Sequence, residues 1–305
     1  MSGLSKIGNW SFHPLVEAFP STVLPNIAYW NVSNGTWEYQ VQVSWPLNWT
    51  SRDVDSTVET LYVLDGNALA QTATEAFRKR RPVDFNQPDT VVVSIGYPDL
   101  QPDSAYSDGR YYDYQPPVCS TCPPQQDAPG VPSGAEAFIT FIDTVLRPWV
   151  HSYFPNVEFH RDGLYGHSFG GLFSLYALLV RPDLFDIFLS ASPYLIWNNE
   201  YFFSNNSPIY TATQRNGTTK PALQVSFGHL EQYPTKRRTE TQEAYEARRD
   251  FLASLQTETT VTRFYNQIKN NSNLGDVELH QYPFSYHAAV GGNALADGID
   301  YFLDW

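Results

Sequence analysis

The sequence predicts an α/β fold: a mixed, mostly parallel sheet of about eight strands, an N-terminal antiparallel hairpin, and helices on both faces. Two observations carry this. Continuous apolar runs alternate with helical segments through most of the 305 residues, the pattern of central parallel strands covered on both sides. The second is Gly166-His167-Ser168-Phe169-Gly170-Gly171, set between a short apolar segment and the helical stretch from Leu172 to Leu179. That reads as strand, sharp turn, helix.

Residues 1–26 are irregular and aromatic-rich, and are expected to drape over the domain. Ala28 to Ser33 and Thr36 to Trp45 flank Asn34-Gly35, a hairpin signal. In the second of these strands Trp37, Tyr39, Val41, Val43 and Trp45 alternate with Glu38, Gln40, Gln42 and Ser44, which predicts one buried and one wet face. Apolar runs at 61–64, 91–95, 187–189 and 223–227 predict central strands, and 277–282 a mixed one. Helices are predicted at 68–80, 134–153, 169–180, 237–268 with a break, and 289–303. The Arg78-Lys79-Arg80-Arg81 run closes the first of them, where cations complement the helix dipole, and reads as a solvated end. With no internal repeat and no linker, residues 1–305 are expected to form a single domain. Residues 97–132, with eight prolines and many tyrosines, form a long insertion, and its aromatic content predicts a loop packed near a site.

The formal charge of −13 and pI near 4.8 disfavour nucleic acid and anionic membranes as partners. No stretch is apolar enough for a membrane span. The first residues lack a signal-peptide pattern, so a cytoplasmic location is expected, and the sequons at Asn31, Asn34, Asn48, Asn205, Asn216 and Asn270 are read as accidents of composition. Cys119 and Cys122 form a C-x-x-C pair in a proline-rich loop. One pair cannot complete a four-cysteine zinc site, and the two are read as incidental thiols or a local disulfide.

The chemistry centres on Ser168. Its flanking glycines allow the tight turn that exposes a nucleophile, and the following helix aims its amides at the same point. A serine hydroxyl needs a base, and the base an orienting acid. In α/β-hydrolases these follow in the order serine, acid, histidine, each beyond a strand end. Of the three histidines after Ser168, His280 lies within a predicted strand and His229 comes too early. His287, between the last strand and the last helix, is the expected base. Glu231 is the first carboxylate past the strand ending near Gly228 and is the expected acid, with Glu200 and Asp276 as contenders. The oxyanion hole is expected to combine the backbone N–H groups of Phe169 and Asn67, the latter in the Leu64-Asp65-Gly66-Asn67 loop.

Several strings occur together: Tyr62-Val63-Leu64-Asp65-Gly66-Asn67, Arg110 to Tyr114, the serine motif, Ser192-Pro193-Tyr194-Leu195-Ile196-Trp197, and Gly228-His229-Leu230-Glu231. With these the chain resembles the esterase-D-like α/β-hydrolases, and within them the siderophore trilactone esterases of the enterobactin-esterase type, from about residue 25 onward. The resemblance implies ester hydrolysis through an acyl-enzyme, with no cofactor and no catalytic metal. It also implies that Arg110 helps to position substrate and that Trp197 lies by the pocket, although Arg110 could instead tie down its loop through Asp113. The implied partner is a small-molecule ester, a ferri-siderophore. Charge then chooses among siderophores: a neutral trihydroxamate complex escapes the repulsion that an anionic catecholate complex would meet. The expectation is therefore a fungal-type enzyme cleaving a cyclic hydroxamate of the triacetylfusarinine C kind to release iron inside the cell, the alternatives being an esterase or thioesterase of the same fold acting on another metabolite ester, or a non-catalytic siderophore-binding protein of that fold.

Overall fold

A computed structural model describes residues 4–304 apart from 18, 21, 85, 118–130 and 205–219. The readings of Cys119, Cys122, Asn205 and Asn216 lie outside the described residues. In chain order the strands are β1 (Lys6–Ile7), β2 (Trp10–Val16), β3 (Ile27–Ser33), β4 (Glu38–Ser44), β5 (Ser56–Leu64), β6 (Asp89–Gly96), β7 (Val157–His167), β8 (Ile187–Ala191), β9 (Ala222–Gly228) and β10 (Asp276–Tyr282). They make one sheet in the order β1-β2-β3-β4-β6-β5-β7-β8-β9-β10. Pairings from β1 through β4 to β6 are antiparallel, and all those from β6 to β10 are parallel.

The sheet has ten strands rather than about eight because residues 6–16 do not merely drape over it. They add β1 and β2 to its edge, where Phe12 stacks on Trp149 with ring centroids 4.5 Å apart. The hairpin forms as expected: Asn34 Oδ1 accepts the N–H groups of Thr36 and Trp37 at 2.9 and 2.8 Å, and Gly35 takes a φ of 87°.

The main helices are α1 (Gly66–Arg80), α2 (Gly109–Tyr114), α3 (Ala135–Phe141), α4 (Arg147–Tyr153), α5 (Phe169–Val180), the short α6 (Trp197–Glu200), α7 (Gln242–Ser254), α8 (Thr257–Ile268) and α9 (His287–Asp304). Alternation along the central strands divides the core into two layers, since successive side chains point to opposite faces. Leu61 and Val63 of β5 face a layer shared with Leu69 and Phe77 of α1 and with Leu295 and Phe302 of α9. Tyr62 and Leu64 face the other layer, with Phe138 of α3, Trp149 of α4, Phe173 of α5 and Phe264 of α8.

Two local expectations change. The polar face of β4 is not wet: α1 covers it, with Thr74 Oγ1 bonded to Gln42 Nε2 at 3.2 Å and Ser44 Oγ at 2.9 Å. The arginines closing α1 are not simply solvated either. Arg78 donates to the Pro25 carbonyl, Arg80 pairs with Asp300, and Arg81 with Asp89.

Candidate active site

β7 ends at His167 and α5 starts at Phe169, so Ser168 alone makes the turn. Its φ of 60° and ψ of −116° are a strained conformation for an L-residue. Surrounding bonds hold it: the Ser168 N–H donates to the Ala191 carbonyl at 3.0 Å, and the Ser168 carbonyl accepts the Leu172 N–H at 2.9 Å. Gly166 makes the tight turn possible, because a Cβ there would stand 2.1 Å from the Gly170 carbonyl oxygen.

Glu231 lies just past β9, at the end of a single 3-10 turn, and is 1% exposed. Its Oε1 accepts the Ser192 hydroxyl at 2.5 Å and the Gly228 N–H at 2.7 Å, while Oε2 faces His287 Nδ1 at 2.5 Å. A carboxylate held this way keeps the imidazole proton on Nδ1 and leaves Nε2 with a free lone pair, the form a general base requires. His287 opens α9, and its side chain is 46% exposed. Its ring centroid lies 4.5 Å from that of His167, the residue before Ser168. His167 is buried. That burial, reinforced by the charges of His287 and Arg110, holds its imidazole well below the usual histidine range, so it packs there as a neutral plate;.

The competing residues are engaged elsewhere. His229 Nδ1 lies 2.8 Å from Glu258, Glu200 pairs with Arg263 at 2.8 Å, and Asp276 accepts the Tyr301 hydroxyl at 2.8 Å. His280 is exposed on β10.

Phe169 and Asn67 occupy the first turns of α5 and α1, where helix geometry leaves amides without intrahelical acceptors. Both are therefore placed to donate. Arg110 does not reach Asp113. It is buried and grips Asp65, Nε to Oδ1 and Nη2 to Oδ2, both at 2.9 Å. Asp113 instead accepts the hydroxyls of Tyr39 at 3.1 Å and Tyr97 at 2.8 Å. Trp197 is fully buried and donates from Nε1 to Gln115 Oε1 at 3.1 Å, so it offers no face to a ligand. The sequence reading missed Ser192, which anchors Glu231; it fell inside a quoted motif, but nothing local marks its hydroxyl as a donor to a carboxylate 39 residues away.

A strained serine at a strand-to-helix elbow, with an imidazole–carboxylate pair after it in chain order, defines an α/β-hydrolase. The chain belongs to the esterase family described as "putative esterase", whose family model matches residues 33–287. It is 35% identical over 299 residues to the siderophore enterobactin esterase of Emericella nidulans, covering 95% of this chain and 97% of that one. It is 32% identical over 285 residues to the siderophore triacetylfusarinine C esterase of Aspergillus fumigatus, covering 92% and 95%. Among solved structures it is similar to the siderophore hydrolase EstA from Aspergillus nidulans, with a TM-score of 0.84, 34% identity, and coverage of 92% of this chain and 95% of that one.

Proposed function

We propose that this chain is a serine esterase that opens the ester bonds of a siderophore, with Ser168 as nucleophile, His287 as base, Glu231 as orienting acid, and the Phe169 and Asn67 amides as oxyanion donors. The observation that carries the reading is the Glu231–His287 contact, 2.5 Å long and anchored from behind by Ser192 and Gly228. Ser168 attacks the ester carbonyl while His287 Nε2 takes its proton. The tetrahedral oxyanion settles against the two amides, and the imidazolium returns the proton to the departing alcohol. Water then repeats the sequence on the acyl-enzyme. The named relatives support a siderophore as the ester. We read residues 1–305 as one domain in which this site is complete, and the cytoplasm as its location, which fractionation of the source cells would test.

Within the siderophores, the net charge of −13 favours a neutral cyclic hydroxamate such as triacetylfusarinine C;. A catecholate is the second reading, and it has its own support. Lys236, Arg237 and Arg238 are exposed, and the Arg237 guanidinium lies 5.9 Å from the ring of Tyr286, next to His287. Local cations of this kind offset a distant negative field. Mass spectrometry of products from ferri-triacetylfusarinine C and ferri-enterobactin tests both readings. Preference for the catecholate would overturn the first, and cleavage of neither would remove the siderophore assignment.

A further inference from the structure

We propose that the short helix α2 is a positioning clamp for the oxyanion loop, acting on Asp65 through Arg110 and Tyr114 and on Asn67 through Asp113 and Tyr97. The proposal rests on the reading of Ser168 as nucleophile and adds a set of residues that tune its reaction without touching substrate.

The loop needs holding. Asp65 sits in the left-handed region, with φ 53° and ψ 47°, a conformation that a non-glycine residue keeps only when its surroundings impose it. Arg110 imposes it by the two-pronged contact with both carboxylate oxygens, each at 2.9 Å, and the Tyr114 hydroxyl accepts the Asp65 N–H at 3.1 Å. A planar guanidinium fork fixes direction as well as distance.

Two residues further on, the Asn67 side chain is committed to the backbone of Tyr97. The Tyr97 N–H donates to Asn67 Oδ1 at 2.8 Å, and Asn67 Nδ2 donates back to the Tyr97 carbonyl at 3.0 Å. The fit requires glycine at position 96, where a Cβ would stand 2.2 Å from Asn67 Oδ1. Tyr97 is itself fixed by its hydroxyl, which donates to Asp113 Oδ2 at 2.8 Å, while the Tyr39 hydroxyl on β4 holds Oδ1. Asp113 is 1% exposed, so this junction is shielded from water.

The same helix bears on the other donor. Tyr111 meets the Phe169 ring edge-on with centroids 5.1 Å apart, and the Arg110 guanidinium lies 5.4 Å from that ring. Six consecutive residues thus set the spacing between the two amides that must converge on one oxyanion. Preorganised donors matter most in the transition state, so loosening them lowers kcat and leaves ground-state binding intact.

Tyr97→Phe removes only the hydroxyl that reaches Asp113. Arg110→Lys keeps a cation and removes the fork. Each is expected to lower kcat by about 10–10²-fold per titrated serine, with KM within about twofold of wild type. Inactivation by diethyl 4-nitrophenyl phosphate, which also places an oxyanion in the hole, should slow in parallel. A purely structural role would lower Tm but leave kcat per active serine unchanged, and that result overturns the clamp. A loss confined to KM also overturns it, by making Arg110 a substrate contact. Should Arg110→Lys fail to fold, the milder Tyr97→Phe decides. Full activity in Ser168→Ala overturns the underlying reading, whereas a dead Ser168→Ala beside an unimpaired Tyr97→Phe overturns the clamp alone.

Discussion

Replacing Glu231 with Gln changes one carboxylate oxygen for an amino group at almost constant size, and the consequence can be worked through atom by atom. In one orientation the new amino group takes the place of Oε2, 2.5 Å from His287 Nδ1. Two donors then face each other, and the imidazole must move its proton to Nε2, where it can no longer accept one from Ser168. In the other orientation the amino group takes the place of Oε1, 2.7 Å from the Gly228 N–H. The carbonyl can then still orient His287, but a buried amide loses its acceptor, at a cost of about 1–3 kcal/mol. The first orientation avoids that cost and traps the wrong tautomer. The expected fall in kcat is about 10²–10⁴-fold, or about 2.7–5.4 kcal/mol at 1.36 kcal/mol per tenfold. Initial rates on a 4-nitrophenyl ester, with active serines titrated by a fluorophosphonate, measure it. A folded variant with kcat near wild type would refute the assignment of Glu231 as the acid.

Ser168→Ala should abolish fluorophosphonate labelling and lower kcat on the order of 10⁶-fold; retained labelling would point to another nucleophile. Ser192→Ala leaves Glu231 Oε1 with one of its two donors, and should lower stability by about 1–3 kcal/mol in urea unfolding and reduce kcat less than Glu231→Gln does. Burial raises Asp113 to about 7 from 3.8, against the lowering effect of its two tyrosine partners. A carboxylate raised in the folded chain contributes stability that is full below the unfolded value and lost as pH rises through the folded one. Asp113→Asn should therefore flatten the decline in stability between about pH 4 and pH 7, and a slope equal to wild type in chemical denaturation would contradict this.

How much of this was legible in the sequence depended on whether a residue's neighbours in the chain determine its surroundings. The apolar centres of β5, β6, β8 and β9 could be read because these strands are buried on both faces over most of their length. β2 could not: it lies next to the edge, flanked outside only by the two-residue β1, its composition is Trp-Ser-Phe-His-Pro-Leu-Val, and only Phe12 is buried. Ser168, His287 and Glu231 could be proposed from chain order and strand ends, and the structure sets Ser168 in a strand-to-helix elbow and brings Glu231 to His287. The roles of Arg110 as a substrate-positioning residue and of Trp197 beside the pocket came from the resemblance, which says nothing of burial; Asp65 and Gln115 already occupy their polar groups. The helix α2 was hidden inside a segment whose prolines and tyrosines read as loop, and it forms because its aromatic residues find long-range partners in Tyr97, Phe138 and Phe169.

The acid of the proposed triad and the two carboxylates of the clamp, Glu231, Asp65 and Asp113, are all buried, at 1%, 3% and 1% exposure, and their partners separate their roles. Glu231 is served by neutral donors on one oxygen and by the imidazole on the other, which suits it to support the imidazolium of the proposed mechanism. Asp65 stands two residues before Asn67, whose amide is the proposed oxyanion donor, and there a free carboxylate would oppose catalysis. Like charges repel even at an effective dielectric of about 20, and that repulsion works against an oxyanion donor. The bidentate contact with Arg110 cancels that charge where it arises. Asp113 is held by two tyrosine hydroxyls, and burial raises it to about 7. The arrangement thus sets a carboxylate held by neutral donors beside the proposed base and a cation-paired one beside the proposed oxyanion loop, the asymmetry that ester hydrolysis through Ser168 would need.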